Sequence, residues 1–292
     1  MSSFELLQPA SLDEALQMLS APGFAGRPAS GSTALSLMRR AGILNVDSLV
    51  SLEGLRQSLA QIRLSPEGEA QIDGFVTLGE MEHHAGLLAS HPVLARVFTT
   101  LANPRVRNVA MIGGYLSHGD PHMDLPPLLS ALDARVTVRS LRGSRDIPVE
   151  QLYRGYYETA LQADELIVGL VLPAQPTCAS YKKITTRARH DWPTLGIAAA
   201  FEAAGSRLDR VRLFIGAATD RPTRLARTEA LLAGQAWSAE LGRRAADTAV
   251  SEAQLIPDSH GSTEYKQALL RAFLPDVFEE ALQTAKPATR LA

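Results

Sequence analysis

Two small-residue turns, far apart in the chain, constrain this sequence more than any other feature. The first is Ala29-Ser30-Gly31-Ser32-Thr33-Ala34. The second opens at Gly113-Gly114, after an apolar approach through Met111-Ile112, and leads through a polar stretch to Asp124. Glycine tolerates positive φ and lets the main chain approach a ligand closely. Successive backbone N–H groups in such turns form an anion-binding nest. Two nests on separate segments suit a long phosphate-bearing cofactor, which points to dinucleotide binding. Neither G-x-G-x-x-G nor a P-loop occurs, so the usual single fingerprint is replaced by two separate loops.

The rest of the chain narrows the class. At 292 residues two or three subdomains are expected. Net charge is −2, which argues against electrostatically driven binding to nucleic acid or anionic membrane. One cysteine, Cys178, excludes an internal disulfide and an all-thiolate iron–sulfur site. With no activating neighbour in its sequence it reads as incidental rather than nucleophilic. No run approaches the roughly 18 apolar residues of a membrane span, and the first residues lack a signal-peptide pattern. A cytoplasmic protein without an integral membrane segment is expected.

Local patterns place the two turns. Ser11-Leu12-Asp13-Glu14 is a capping box opening a helix, with Leu12, Ala15, Leu16 and Leu19 on one face. Ala34 to Arg40 reads as a helix with Leu35, Leu37 and Met38 partly buried, and Leu49 to Leu52 as a strand. Ile62-Arg63-Leu64 and Ala70-Gln71-Ile72 flank a hairpin loop, and Thr77-Leu78-Gly79-Glu80 is a second capping box. Helices are expected over Val93 to Leu101 and Asp124 to Leu132, and strands at Val136-Val138 and Glu165 to Leu172. Ala174 to Thr177 is the expected boundary. Beyond it come strands at Ser180 to Ile184, Gly196 to Phe201 and Val211 to Ala217, with Arg207-Leu208-Asp209 as a hairpin connection. Two helices follow, Trp237 to Ala249 and Ser262 to Leu282, the second broken at Pro275.

Other clusters have plainer readings. His118, Asp120, His122 and Asp124 alternate like metal ligands, but Gly119 and Pro121 interrupt a regular strand. A solvated polar loop is the better reading, and no metal is expected there. Asp124, just before Pro126-Pro127, suits a helix N-cap compatible with ligand contact. His83, His84 and His91 read as surface residues. No G-x-S-x-G nucleophile elbow is present.

Taken together, these residues resemble the FAD-binding subunit of the molybdenum hydroxylases, the family of carbon monoxide dehydrogenase medium subunits and xanthine dehydrogenase flavin domains. Ala29 to Leu35 is similar to its first flavin motif, with Ser30 in place of a glycine. Met111-Ile112-Gly113-Gly114-Tyr115 is similar to the second, with Tyr115 in place of asparagine. Asp124 to Ala134, Gly155 to Leu161, Asp164 to Ile167 and Tyr181-Lys182-Lys183 with Arg187 and Asp191 extend the likeness over nearly the whole chain.

The resemblance implies an α+β fold. Two α/β FAD-binding subdomains of the PCMH or vanillyl-alcohol-oxidase-like type would occupy about 1–58 and 59–175. A C-terminal antiparallel sheet with helices would occupy 176–292. It implies that backbone N–H groups at Gly31, Ser32, Thr33 and Ala34, with Ala29 and Ser30, and at Ile112, Gly113, Gly114 and Tyr115, hold FAD. Asp124 would accept a hydrogen bond from the cofactor, and Leu166, Ile167 and Lys183 would lie toward the isoalloxazine. It also implies a large molybdopterin-binding subunit and a small subunit with 2Fe–2S clusters as partners, in a dimer of heterotrimers. Electrons would pass from those clusters through FAD to oxygen, NAD or a quinone. Two readings stay open beside it: a self-sufficient FAD oxidase or reductase, and a structural subunit whose flavin site has decayed.

Overall fold

The computed structural model describes residues 4–284. The outermost ends of the expected domains, 1–3 and 285–292, lie outside the described residues. Three larger sheets and a two-stranded ribbon, Tyr153–Gly155 with Glu158–Thr159, organise the described residues. The first is parallel, with Ser48–Ser51 between Glu5–Leu7 and Arg27–Ala29. Helix Leu12–Leu19 buries Ala15, Leu16 and Leu19 beneath it, as the spacing predicts, and Ser11 caps it. Arg27-Pro28-Ala29, which carried no strand signal, is an edge strand. Proline has no N–H to donate, and an edge position tolerates that loss.

The second sheet has five antiparallel strands in the order Ile62–Leu64, Ala70–Asp73, Leu166–Leu172, Arg135–Ser140, Gly143–Pro148. Its central strand, Leu166–Leu172, packs on the short helices of the middle segment. Thr77 and Glu80 form the expected capping box. His91 is buried, not superficial: its Nε2 lies 2.8 Å from the Pro173 carbonyl oxygen and ties the helices to the end of the central strand.

The third sheet is antiparallel, Cys178–Ile184, Leu195–Ala204, Arg207–Gly216 and Thr223–Arg224. Helices Ala239–Glu252 and Thr263–Gln283 cover it, with Trp237, Phe201 and Phe278 stacked in the seam. Arg207 to Asp209 belongs to a strand rather than a connection; Gly205 at φ 63° makes the turn instead. Helix Thr263–Gln283 runs through Pro275 without stopping. An internal proline costs about 3 kcal/mol. Leu270, Leu274, Val277 and Phe278 are fully buried on the same helix. At about 1.5–3 kcal/mol for each such side chain, their burial outweighs the break.

Candidate functional site

The first glycine-bearing turn feeds helix Thr33–Arg40. Ser32 is its N-cap in the left-handed region, φ 54°, and among the described residues no side chain caps it. The Ser32 hydroxyl donates instead to the Ser30 carbonyl at 2.9 Å. The first N–H groups of a helix have no intrahelical partner and carry the positive end of its dipole. Here they line a cavity, with Arg27 and Arg40 beside them. That combination attracts an anion such as a pyrophosphate. Leu37, expected to be partly buried, is exposed at the cavity rim.

The second glycine pair is not a loop. Gly113 and Gly114 sit in the first turn of helix Ile112–Ser117. Their roles differ. A Cβ on Gly113 would lie 2.6 Å from the Ile167 carbonyl oxygen and 2.9 Å from that of Gly74. Gly113 therefore lets this helix press onto the central strand. A Cβ on Gly114 would run into the Ser30 hydroxyl, and one on Gly31 into the Val109 carbonyl. Ser30 is thus the point at which the two turns touch.

Asp124 forms the floor with Lys183 and Tyr115, and Tyr181 bonds to Asp124. It occupies the N-cap position of helix Leu125–Ala131, yet its side chain does not cap it. Its carboxylate accepts from Tyr181 Oη at 2.9 Å and from Lys183 Nζ at 3.0 Å. Lys183 also donates to the Thr100 carbonyl, and both members of the ion pair are buried. Burial raises the Asp124 carboxyl above its ordinary range, against the opposing pull of Lys183 and Tyr181. The capping is done by Tyr115, whose hydroxyl accepts from the backbone N–H groups of Asp124 and Leu125.

The wall comes from Tyr157, Asp120 and His118. Tyr157 has φ 54°, uncommon for a bulky residue. Its backbone N–H donates to the Gly119 carbonyl and its hydroxyl to Asp120 Oδ2. Burial and the neighbouring Asp120 charge push the Tyr157 phenol up to about 12. The stretch from His118 to Asp124 is not the expected solvated loop: Asp120, Pro121, Met123 and Asp124 are buried. Its four candidate ligands diverge, Asp120 and His122 bonding each other while Asp124 turns to Lys183. Cys178 is buried, and burial raises its thiol to about 11, which leaves it poorly nucleophilic.

These lips, floor and wall enclose a cavity of about 1110 Å³. Drug-sized ligand sites span about 300–1,000 Å³, so the space suits an extended dinucleotide. Of the residues singled out from sequence, Ser30, Gly31, Ser32, Thr33, Ala34, Gly113, Gly114, Tyr115, Asp124, Leu166, Ile167 and Lys183 line it. Ala29 and Ile112 lie behind it, buried. The sequence reading missed Leu101, Ala102, Asn103 and Val106 on one side and Trp192 on another. Asn103-Pro104 is a turn and N-cap signal that would have marked the first group, since Asn103 caps helix Pro104–Arg107.

A cleft lined by an uncapped helix N-terminus and a paired glycine, in this mixed fold, suits a flavin or nucleotide. Residues 2–175 match the family described as the FAD binding domain in molybdopterin dehydrogenase. Residues 179–281 match the CO dehydrogenase flavoprotein C-terminal domain. The chain is 31% identical to the nicotine 6-hydroxylase medium subunit of Paenarthrobacter nicotinovorans, covering 94% of this chain and 95% of that one. It is 28% identical to the carbon monoxide dehydrogenase medium chain of Hydrogenophaga pseudoflava, over 91% and 92%. Among solved structures, carbon monoxide dehydrogenase from Hydrogenophaga pseudoflava superposes with a TM-score of 0.91 at 26% identity, covering 98% of this chain and 99% of that one. Quinoline 2-oxidoreductase from Pseudomonas putida 86 gives 0.90 at 26%, over 97% and 98%. The chain belongs to the FAD-binding medium subunits of the molybdenum hydroxylases, a family of oxidoreductases whose cofactor on this subunit is FAD.

Proposed function

We propose that this chain carries electrons from iron–sulfur clusters on a small partner subunit, through FAD in the cavity, to an external acceptor. The observation that carries this reading is the pairing of an uncapped helix N-terminus at Ser32–Leu35 with Gly114 across one cavity. When bound, FAD supplies the exchange between one-electron donors and a two-electron acceptor; the protein binds, orients and shields it.

Each residue then has a part. Backbone N–H groups from Gly31 to Ala34, with that of Gly114, hold the pyrophosphate and adjoining groups; contrary to expectation, the N–H groups of Ile112, Gly113 and Tyr115 are taken by the Val76, Gly74 and Met111 carbonyls. Ala29 and Ile112 support them from behind. Asp124, although engaged with Lys183 and Tyr181, keeps acceptor lone pairs for the cofactor, because a carboxylate has about four acceptor sites. Leu166, Ile167 and Lys183 face the isoalloxazine. The FAD-binding part ends near 175 and the C-terminal part begins at 176. A large molybdopterin subunit oxidises the substrate, the working assembly is a dimer of heterotrimers, and it works in the cytoplasm.

Flavin analysis of the purified chain tests the binding half of this reading. One FAD per chain, released into the supernatant by acid precipitation, is expected. Colour retained in the pellet would contradict non-covalent binding. An active complex without flavin would mean a decayed site.

A further inference from the structure

One buried charge chain leaves the cavity and enters the C-terminal region. Asp120 lines the cavity and accepts the Tyr157 hydroxyl on Oδ2. Its Oδ1 accepts from the His122 backbone N–H and faces His122 Nδ1 at 3.0 Å. On the other side, His122 Nε2 lies 3.0 Å from Asp258 Oδ2. Asp258 accepts from Lys266 Nζ at 2.7 Å and from the His260 backbone N–H at 2.8 Å. Lys266 is fully buried and also donates to the Ile256 carbonyl.

The chemistry of this chain is restrictive. Ionised carboxylates only accept hydrogen bonds, and a neutral imidazole has one N–H. Both His122 nitrogens face carboxylates, so both contacts are satisfied only by the imidazolium. With it, Asp120 and Asp258 are balanced by His122 and Lys266. Burial pulls the His122 proton affinity down, but hydrogen bonds and charges from Asp120 and Asp258 outweigh it, and its pKa is raised. Asp120 and Asp258 are correspondingly held low, their hydrogen bonds overcoming the opposing effect of burial. The other neighbours are the His260 ring, 5.1 Å away, Trp192, 6.3 Å away at the cavity, and, on the far side of Asp120, His118, edge-on to Tyr157 and with its pKa held low by burial. Tyr156 lies within the field of Asp258 and Asp120.

We propose that His122 is a positioning residue for the cofactor cavity: its imidazolium clasps the cavity wall at Asp120 and Tyr157 to Asp258 in the C-terminal region. Proton loss opens the clasp on a defined side. Asp258 keeps Lys266, whereas His122 is the cation paired with Asp120 among the described residues. The neutral ring therefore keeps Nδ1–H toward Asp120 and turns a lone pair toward Asp258. The wall segment then loses one of its ties to the C-terminal region, while the Ala217 N–H to Pro121 carbonyl bond at 2.9 Å and the bonds of Asp124 to Lys183 and Tyr181 remain. Tyr157, in a backbone region that costs about 1–3 kcal/mol, depends on that wall through Asp120. FAD retention should weaken with rising pH. The sign follows from the raised pKa: the contribution is whole below the ordinary imidazole value near 6.5 and is lost as pH climbs through the higher native value.

The inference rests on the cavity being the FAD site. The test uses the full chain with ¹⁵N-histidine, followed by NMR while FAD affinity is read by flavin fluorescence from about pH 6 to about pH 9. His122 should show two N–H groups at the acid end and the Nδ1–H tautomer at the alkaline end. FAD affinity should fall in parallel by about threefold to tenfold, a fraction of the roughly tenfold to hundredfold that one charge-assisted hydrogen bond carries. Asp258→Asn removes the carboxylate that holds the imidazolium, so it should bind FAD more weakly and with a flat pH profile. His122→Gln should bind weakly at every pH. A neutral His122 at the acid end would overturn the clasp. A titrating His122 with pH-independent affinity would overturn its role in the cavity. Failure to bind FAD at any pH would instead sink the assignment of the cavity, and the coupling with it.

Discussion

The Tyr115 hydroxyl oxygen lies 3.1 Å from the Asp124 backbone nitrogen and caps the helix that Asp124 begins. It accepts from Leu125 N as well, at 3.4 Å. Tyr115 thus does the capping, and the Asp124 carboxylate is left for Lys183. Tyr115→Phe should remove the cap and leave buried donors unpaired. A loss of about 1–2 kcal/mol in urea unfolding is expected, the usual range for a lost N-cap. Unchanged stability would show that water or another group supplies the cap.

The paired glycines should separate folding from binding. Gly113→Ala puts a methyl against two backbone carbonyls that cannot rotate away. It should lower the melting temperature whether or not FAD is present. At Gly114, which lines the cavity, a Cβ meets the Ser30 side chain rather than backbone, and valine adds two γ-methyls there. The circular dichroism of Gly114→Val should stay close to wild type while flavin content falls to near zero. Full flavin occupancy in Gly114→Val would refute the assignment of this lip.

Removing Lys183 strands a buried carboxylate. Breaking a buried ion pair by deleting one partner costs about 3–5 kcal/mol, so Lys183→Met should be strongly destabilised at neutral pH. The deficit should shrink as pH falls, because burial already favours the neutral Asp124 carboxyl and protonation removes the stranded charge. The double variant Asp124→Asn with Lys183→Met should recover much of the loss. Chemical unfolding of the three variants across pH reads all of these effects; equal stability of Lys183→Met and wild type would contradict the buried pair.

Local signals carried well where one segment decides its own structure. The Thr77 capping box and the apolar face of Leu12–Leu19 are local physics and stand in the structure as read; at Ser11 the cap forms, but Glu14 closes back on the Ala10 N–H rather than on that of Ser11. Long-range packing was harder to see. Pro275 stays helical because a buried face holds it there, and His91 is buried because Pro173, far along the chain, accepts its hydrogen bond. The polar stretch from His118 to Asp124 looks solvated because its partners, Asp258 and Lys183, are supplied by the C-terminal region. The glycine pair announced close approach correctly, but Gly113 meets protein backbone rather than a ligand.

The central claim is that flavin on this chain is an electron relay fed from a partner. Anaerobic mixing with the oxidisable substrate, followed at the flavin absorbance, tests it most directly. The isolated chain should keep its yellow colour, and the flavin should bleach when the small iron–sulfur and large molybdenum subunits are present. Substrate-driven bleaching of the isolated chain would contradict the relay and establish a self-sufficient flavoenzyme.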